Sequence, residues 1–84
     1  SGNTARILKE YENKFKFGSI NEIKNKEIKK YFDNQPKNSF ISVEGAANQI
    51  QKELPKGIII GETIIYNRLN DPTFNTNNLK PQTL

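Results

Sequence analysis

The chain is 84 residues long with only 33% apolar side chains, enough for one small domain with a modest core and too little for a large cofactor pocket. Thirteen Lys and Arg against nine Asp and Glu leave a formal charge of +4, which suits an anionic partner. Cys and His are absent, and this excludes disulfides, thiolate chemistry, histidine general bases and the commonest zinc ligands.

In chain order, residues 1–3, SGN, are set aside as a tag remnant or disordered start, since the chain contains no Met. TARILKEYENK, 4–14, is expected to be a helix capped by Thr4, with Ile7, Leu8 and Tyr11 at helical spacing and Phe15 one turn further. FKFGSI breaks that pattern: Gly18-Ser19 predicts a turn, with a very short strand around Phe17 or Ile20. A second helix follows over 21–33, its broad face made by Ile20, Ile23, Ile28, Tyr31 and Phe32, while Asn25 offers a cap for a shorter helix from Lys26. Lys24, Lys26, Lys29 and Lys30 alternate there with Glu22 and Glu27, as on a solvated, internally paired surface. Pro36 stops this helix.

SVEGAANQIQKEL, 42–54, carries the clearest pattern. Val43, Ala46, Ala47, Ile50 and Leu54 form one apolar stripe, Ser42 is the N-cap, and Pro55 and Gly57 end the helix. GIIIGETIIYNRL, 57–69, is dense in β-branched residues. A two-residue loop with Gly first is the type II′ signature, so Gly61-Glu62 predicts a tight hairpin. In that register Ile58, Ile60, Thr63 and Ile65 share one face, and Ile59, Ile64 and Tyr66 the other. Both faces are apolar, so the second needs a cover. A second local reading makes GETIIYNRLND a helix capped by Thr63, with 42–54 as the preceding helix of the motif; consecutive β-branched residues rank it below the hairpin. The tail, 71–84, is rich in Asn, Thr and Pro, and is expected to be irregular or an arm that orders on a partner.

The order helix, short strand, helix, turn, helix, hairpin resembles the winged helix-turn-helix family of DNA-binding domains. The stretches that carry the resemblance are GSINEIKNKEIKKYF, SVEGAANQIQKEL and GIIIGETIIYNRL, spanning Thr4 to Leu69 with the flanking residues. It implies an α+β fold: a three-helix domain over 4–70 with a C-terminal β-hairpin as wing. It also implies that 42–54 is the recognition helix, entering the major groove of double-stranded DNA. The face opposite its apolar stripe carries Gly45, Asn48, Gln49, Gln51 and Lys52. Amides bond bidentately to adenine, Lys52 reaches guanine or phosphate, and Gly45 permits close approach. Ser42 opens this helix, and Lys37 and Asn38 precede it in position to meet phosphate.

The expected wing has an acidic tip, Gly61-Glu62, which repels phosphate. Its DNA contacts are therefore assigned to Lys56, Thr63, Tyr66, Asn67 and Arg68. The surplus apolar surface, Ile59 and Ile64 with Tyr66, or Phe74 and Leu79 of the tail, predicts a homodimer interface.

The function expected from these features is sequence-specific binding of double-stranded DNA by a non-enzymatic regulatory or accessory factor of a plasmid or phage, in replication, transfer or transcription. No cofactor, metal or small-molecule substrate is expected. No apolar run approaches a membrane span and no signal peptide is visible, which fits a cytoplasmic protein without a membrane partner. Two rivals stand beside it. One is a protein-interaction module using the apolar hairpin. The other is a small RNA-cleaving toxin domain, to whose architecture TIIYNR on a strand is similar, with Lys56, Thr63, Tyr66 and Arg68 as its candidates.

Overall fold

A computed structural model describes Arg6, Lys9 and residues 17–83. Arg6 and Lys9 are helical and exposed; the rest of the helix expected over 4–14 lies outside the described residues. From residue 17 the elements are α1 (Phe17–Asp33), β1 (Phe40–Ile41), α2 (Val43–Glu53), α3 (Glu62–Leu69) and β2 (Lys80–Pro81). This is a small α+β domain with three helices and one two-stranded sheet among the described residues.

The break expected at Gly18-Ser19 does not occur, because α1 runs through it. Glycine within a helix costs about 1 kcal/mol, an amount offset here by Ile20 and Ile23, which α1 lays against the core. Further along, Ile28 and Phe32, one helical turn apart, are fully buried. The carbonyls at and just past the end of α1 are taken up from far along the chain: the Asn77 amide donates to those of Phe32 (3.1 Å), Asp33 (3.4 Å) and Gln35 (3.1 Å). Such carbonyls have no partner within their own helix, so the tail completes α1.

The expected short strand near Phe17 or Ile20 is absent; strand geometry is found instead at Phe40–Ile41, paired parallel with Lys80–Pro81. Lys80 N–H donates to the Ser39 carbonyl at 3.0 Å and Gln82 N–H to that of Ile41 at 2.7 Å. Alternate amides of a strand point to opposite edges, so Pro81, which has no N–H, occupies a position where the pairing needs none. The helix α2 follows the expected pattern. The Ser42 hydroxyl accepts from Gly45 N–H at 3.1 Å, and Val43, Ala46, Ala47 and Ile50 are buried with Leu54 at the end of the stripe.

The hairpin is the main correction. Residues 58–61 pair with no strand, and 62–69 form the helix α3, as in the second local reading, although the N-cap is Gly61 rather than Thr63. A lone ribbon with two apolar faces would leave one of them in water. As observed, Ile58 and Ile60 bury their side chains from an extended loop, while Ile65 and Leu69 bury theirs from one side of α3. Burying an isoleucine contributes about 1.5–3 kcal/mol, whereas the helix penalty of an ordinary residue is at most about 0.7 kcal/mol. Burial decides the element.

Gln51 stands where a neighbouring strand would. Its amide donates to the Ile58 carbonyl at 2.7 Å and accepts from Ile60 N–H at 2.9 Å. Gly57 makes the preceding turn at φ 95°, a left-handed value suited to glycine.

The tail is irregular apart from β2, and it is folded onto the domain rather than held out as an arm. Leu79 is 2% exposed, and Phe74 is half-buried with its ring edge-on to Phe32 at 5.8 Å. The buried Asn75 amide donates to the carbonyls of Leu69 (3.0 Å) and Leu79 (2.9 Å) and accepts from Leu79 N–H (3.0 Å). Lys29 donates to Asp33 (3.0 Å), to the Phe74 carbonyl (2.9 Å) and to Thr76 Oγ1 (2.9 Å).

Candidate nucleic-acid interface

Two helical faces carry the residues expected to touch DNA. On α2, Asn48, Gln49 and Lys52 are exposed and Gly45 is half-buried, while Ser42 is occupied in capping. Gln51 is turned to the loop and belongs to the scaffold. The carboxylates of Glu44 and Glu53 are exposed on the same helix, and Gln49 lines a cleft of about 270 Å³ with Glu27, Lys30 and Glu53. Carboxylates outnumber the ammonium there, which disfavours phosphate.

On α3, Thr63, Tyr66, Asn67 and, just past the helix end, Asn70 are exposed along one arc. None of these four side chains has a hydrogen-bond partner among the described residues, as is also true of Asn48 and Gln49 on α2, whereas Asn25, Gln51, Asn75 and Asn77 are all committed internally. Glu62, in the first turn, is the acidic residue of this arc, and it sits where the helix dipole favours a negative charge. Lys56 is exposed in the loop that leads into α3.

Arg68 is not free. Its Nε donates to Asn25 Oδ1 at 2.8 Å, and its guanidinium lies 5.7 Å from the centre of the Phe74 ring, which Lys29 also approaches at 5.7 Å. Sequence spacing gave no sign of this, because Asn25 and Phe74 meet Arg68 only once α1, α3 and the tail are packed. Asn38 is likewise engaged: it holds φ 62°, and its Oδ1 accepts from the Asn78 amide at 2.9 Å. Lys37 is exposed beside it.

Of the two alternative surfaces expected for a dimer, the first is divided between loop and helix and the second is used within the chain. Ile59 is 71% exposed on the loop, while Ile64 packs partly against the core from α3; Phe74 and Leu79 are taken up within the chain. The arrangement expected of a toxin domain is absent as well, since TIIYNR is helical rather than a strand.

Between the N-terminal ends of α2 and α3 lies a cleft of about 360 Å³, lined by Ser42, Glu44, Glu62, Tyr66, Gln82 and Thr83. With two carboxylates at its mouth it does not suit phosphate. At the C-terminal end of α3, Asp71 accepts from the Thr73 hydroxyl (2.7 Å) and Thr73 N–H (3.0 Å), and these bonds, the hydroxyl first, hold its carboxyl below the usual aspartate range. No group of His, Cys, Asp and Glu among the described residues could hold a metal ion, and no described helix is long and apolar enough to cross a membrane.

Compared with known proteins, the chain matches no family model, no curated protein and no solved structure. Function must therefore be argued from the site itself.

Proposed function

We propose that this domain binds double-stranded DNA, with α3 rather than α2 as the helix that reads base edges. The observation that carries the proposal is the arc of Thr63, Tyr66, Asn67 and Asn70, four exposed polar side chains with no internal partner. The order of elements supports it too. Helix, short strand, helix, loop, helix, strand is the order of the winged helix-turn-helix family, displaced one helix further along the chain, with α2 and α3 as the pair and β2 where a wing would begin. The parallel strand pair and the eight residues between these helices, 54–61, are this chain's own departures from that pattern.

In this arrangement Asn67 pairs with an adenine edge and Thr63 contacts a base or a thymine methyl. Lys56 meets phosphate from the loop. A protein-interaction role has one specific observation in its favour, the solvent-facing Ile59, but a single exposed apolar side chain is common on monomeric surfaces.

The test is fluorescence anisotropy with blunt duplex DNA at about 50 and 200 mM salt. Binding is expected to weaken steeply with salt. Asn67→Ala should lose about 1–3 kcal/mol at a preferred site, and Gln49→Ala should lose nothing. The reverse pattern returns the reading role to α2, and no binding at low salt removes the proposal.

A further inference from the structure

The outer side of the β1–β2 pair is not used by the role proposed for α3. Phe40 stands there 63% exposed, and the parallel register sets it opposite Lys80, also exposed. Paired residues at one level project to the same side of a sheet; the next residue of β1, Ile41, is buried on the other. Lys37 precedes Phe40 in the turn that enters β1. Among the described residues neither Lys37 nor Lys80 lies within ion-pair distance of a carboxylate, in contrast to Lys29 and Asp33.

The backbone beneath this patch is fixed. Asn38 N–H donates to the Asn77 carbonyl at 2.8 Å, Lys80 N–H to Ser39 and Gln82 N–H to Ile41, and the Asn77 side chain is anchored on the end of α1. Asn38 and Asn78 both adopt left-handed φ values, 62° and 52°, and their side chains are bonded to each other. The ring is thus displayed by a scaffold that needs no rearrangement to receive a ligand.

An exposed phenylalanine alone carries no message. A phenylalanine set beside one lysine by the strand register, with a second lysine three residues earlier in the chain and neither in an ion pair, has the components by which proteins hold single strands, where a base stacks on the ring and neighbouring phosphates meet the cations. We infer that this face is a contact for single-stranded DNA, with one unpaired base on Phe40 and the adjoining phosphates at Lys80 and Lys37. Charge complementarity selects the occupant: an apolar protein surface would meet two uncompensated ammonium groups around one ring. The choice of DNA over RNA rests on the duplex-binding role of α3. Beyond β2, Gln82 and Thr83 line the cleft shared with Glu62 and Tyr66, so the patch adjoins α3.

The chain has no tryptophan, so Phe40→Trp gives a single reporter. Its emission should be quenched saturably by an oligothymidine. In anisotropy, a duplex with a single-stranded overhang should bind more tightly than the blunt duplex, and Phe40→Ala should remove that gain, on the order of tenfold, while leaving blunt-duplex binding unchanged. Unquenched tryptophan at saturating oligonucleotide, or wild type and Phe40→Ala binding every DNA alike, overturns the inference. Tighter binding of an RNA oligomer of the same length overturns the assignment to DNA. Phe40-dependent binding of single strands with no binding of blunt duplex would support this contact and remove the role given to α3.

Discussion

Asn75 is 5% exposed, and its amide joins the end of α3 to the tail through the carbonyls of Leu69 and Leu79 and the N–H of Leu79. Truncation leaves buried polar groups unmet, so Asn75→Ala should destabilise by about 2–4 kcal/mol in urea unfolding. Asn67→Ala, on the exposed arc, should fall within about 0.5 kcal/mol of wild type. Asp71 gives the pH response. Its folded pKa is lowered, so its contribution is complete above the unfolded value near 3.8 and is lost as pH falls through the folded one. Wild type should therefore lose part of its advantage over Asp71→Asn as pH falls below that unfolded value, as read by urea midpoints; a constant gap through the fall contradicts the linkage. At this scale the Ser42 cap was legible, because a cap is bonded three residues away. Asn75, Asn77 and Gln51 were not, because in an Asn-rich chain a clamping amide looks the same as a solvated one until its distant partners are placed.

Among the elements, α3 is where local preference and tertiary packing disagree. Three isoleucines before Gly61 and two after Thr63 favour strand by β-branching, and the Gly-first pair favours a hairpin turn. What the pattern lacked was any layer to cover the second face. The structure resolves the conflict by burying Ile58, Ile60 and Ile65 and leaving Ile59 outside. Ile65→Ala should cost about 2–5 kcal/mol, and Ile59→Ala should change stability by less than about 0.5 kcal/mol. A large loss at Ile59 would contradict the loop placement. Gly45 offers a further test, since an added Cβ would meet only the Ser42 side chain, at 3.4 Å or more. Gly45→Ala should stabilise α2 by up to about 1 kcal/mol, and, if α3 reads DNA, should leave affinity unchanged. The period of α2 and its stop at Pro55 were readable because its stripe, cap and terminator agree; those of α3 were not, because its eight residues are too few for periodicity to outweigh propensity.

For the molecule as a whole, composition and order of elements were enough for a small α+β domain, but not for which helix faces the partner. That depends on which polar residues the fold consumes. Packing commits Arg68, Asn38 and Gln51 to internal hydrogen bonds and seats Phe74 and Leu79 inside the chain, and it leaves the arc of α3 and the Phe40–Lys80 face outside. The uneven distribution of charge follows the same division: carboxylates at the N-terminal ends of α2 and α3 line a cleft, while Lys37, Lys56 and Lys80 lie on the loops and the strand pair that flank the helices. The proposed contact of α3 with DNA is tested by mapping backbone amide shifts in a two-dimensional nitrogen–proton NMR spectrum as a blunt duplex is added at low salt. The amides of Lys56 and of residues 62–70 should move together and saturably; shifts confined to residues 43–53, or no shifts at all, would contradict it.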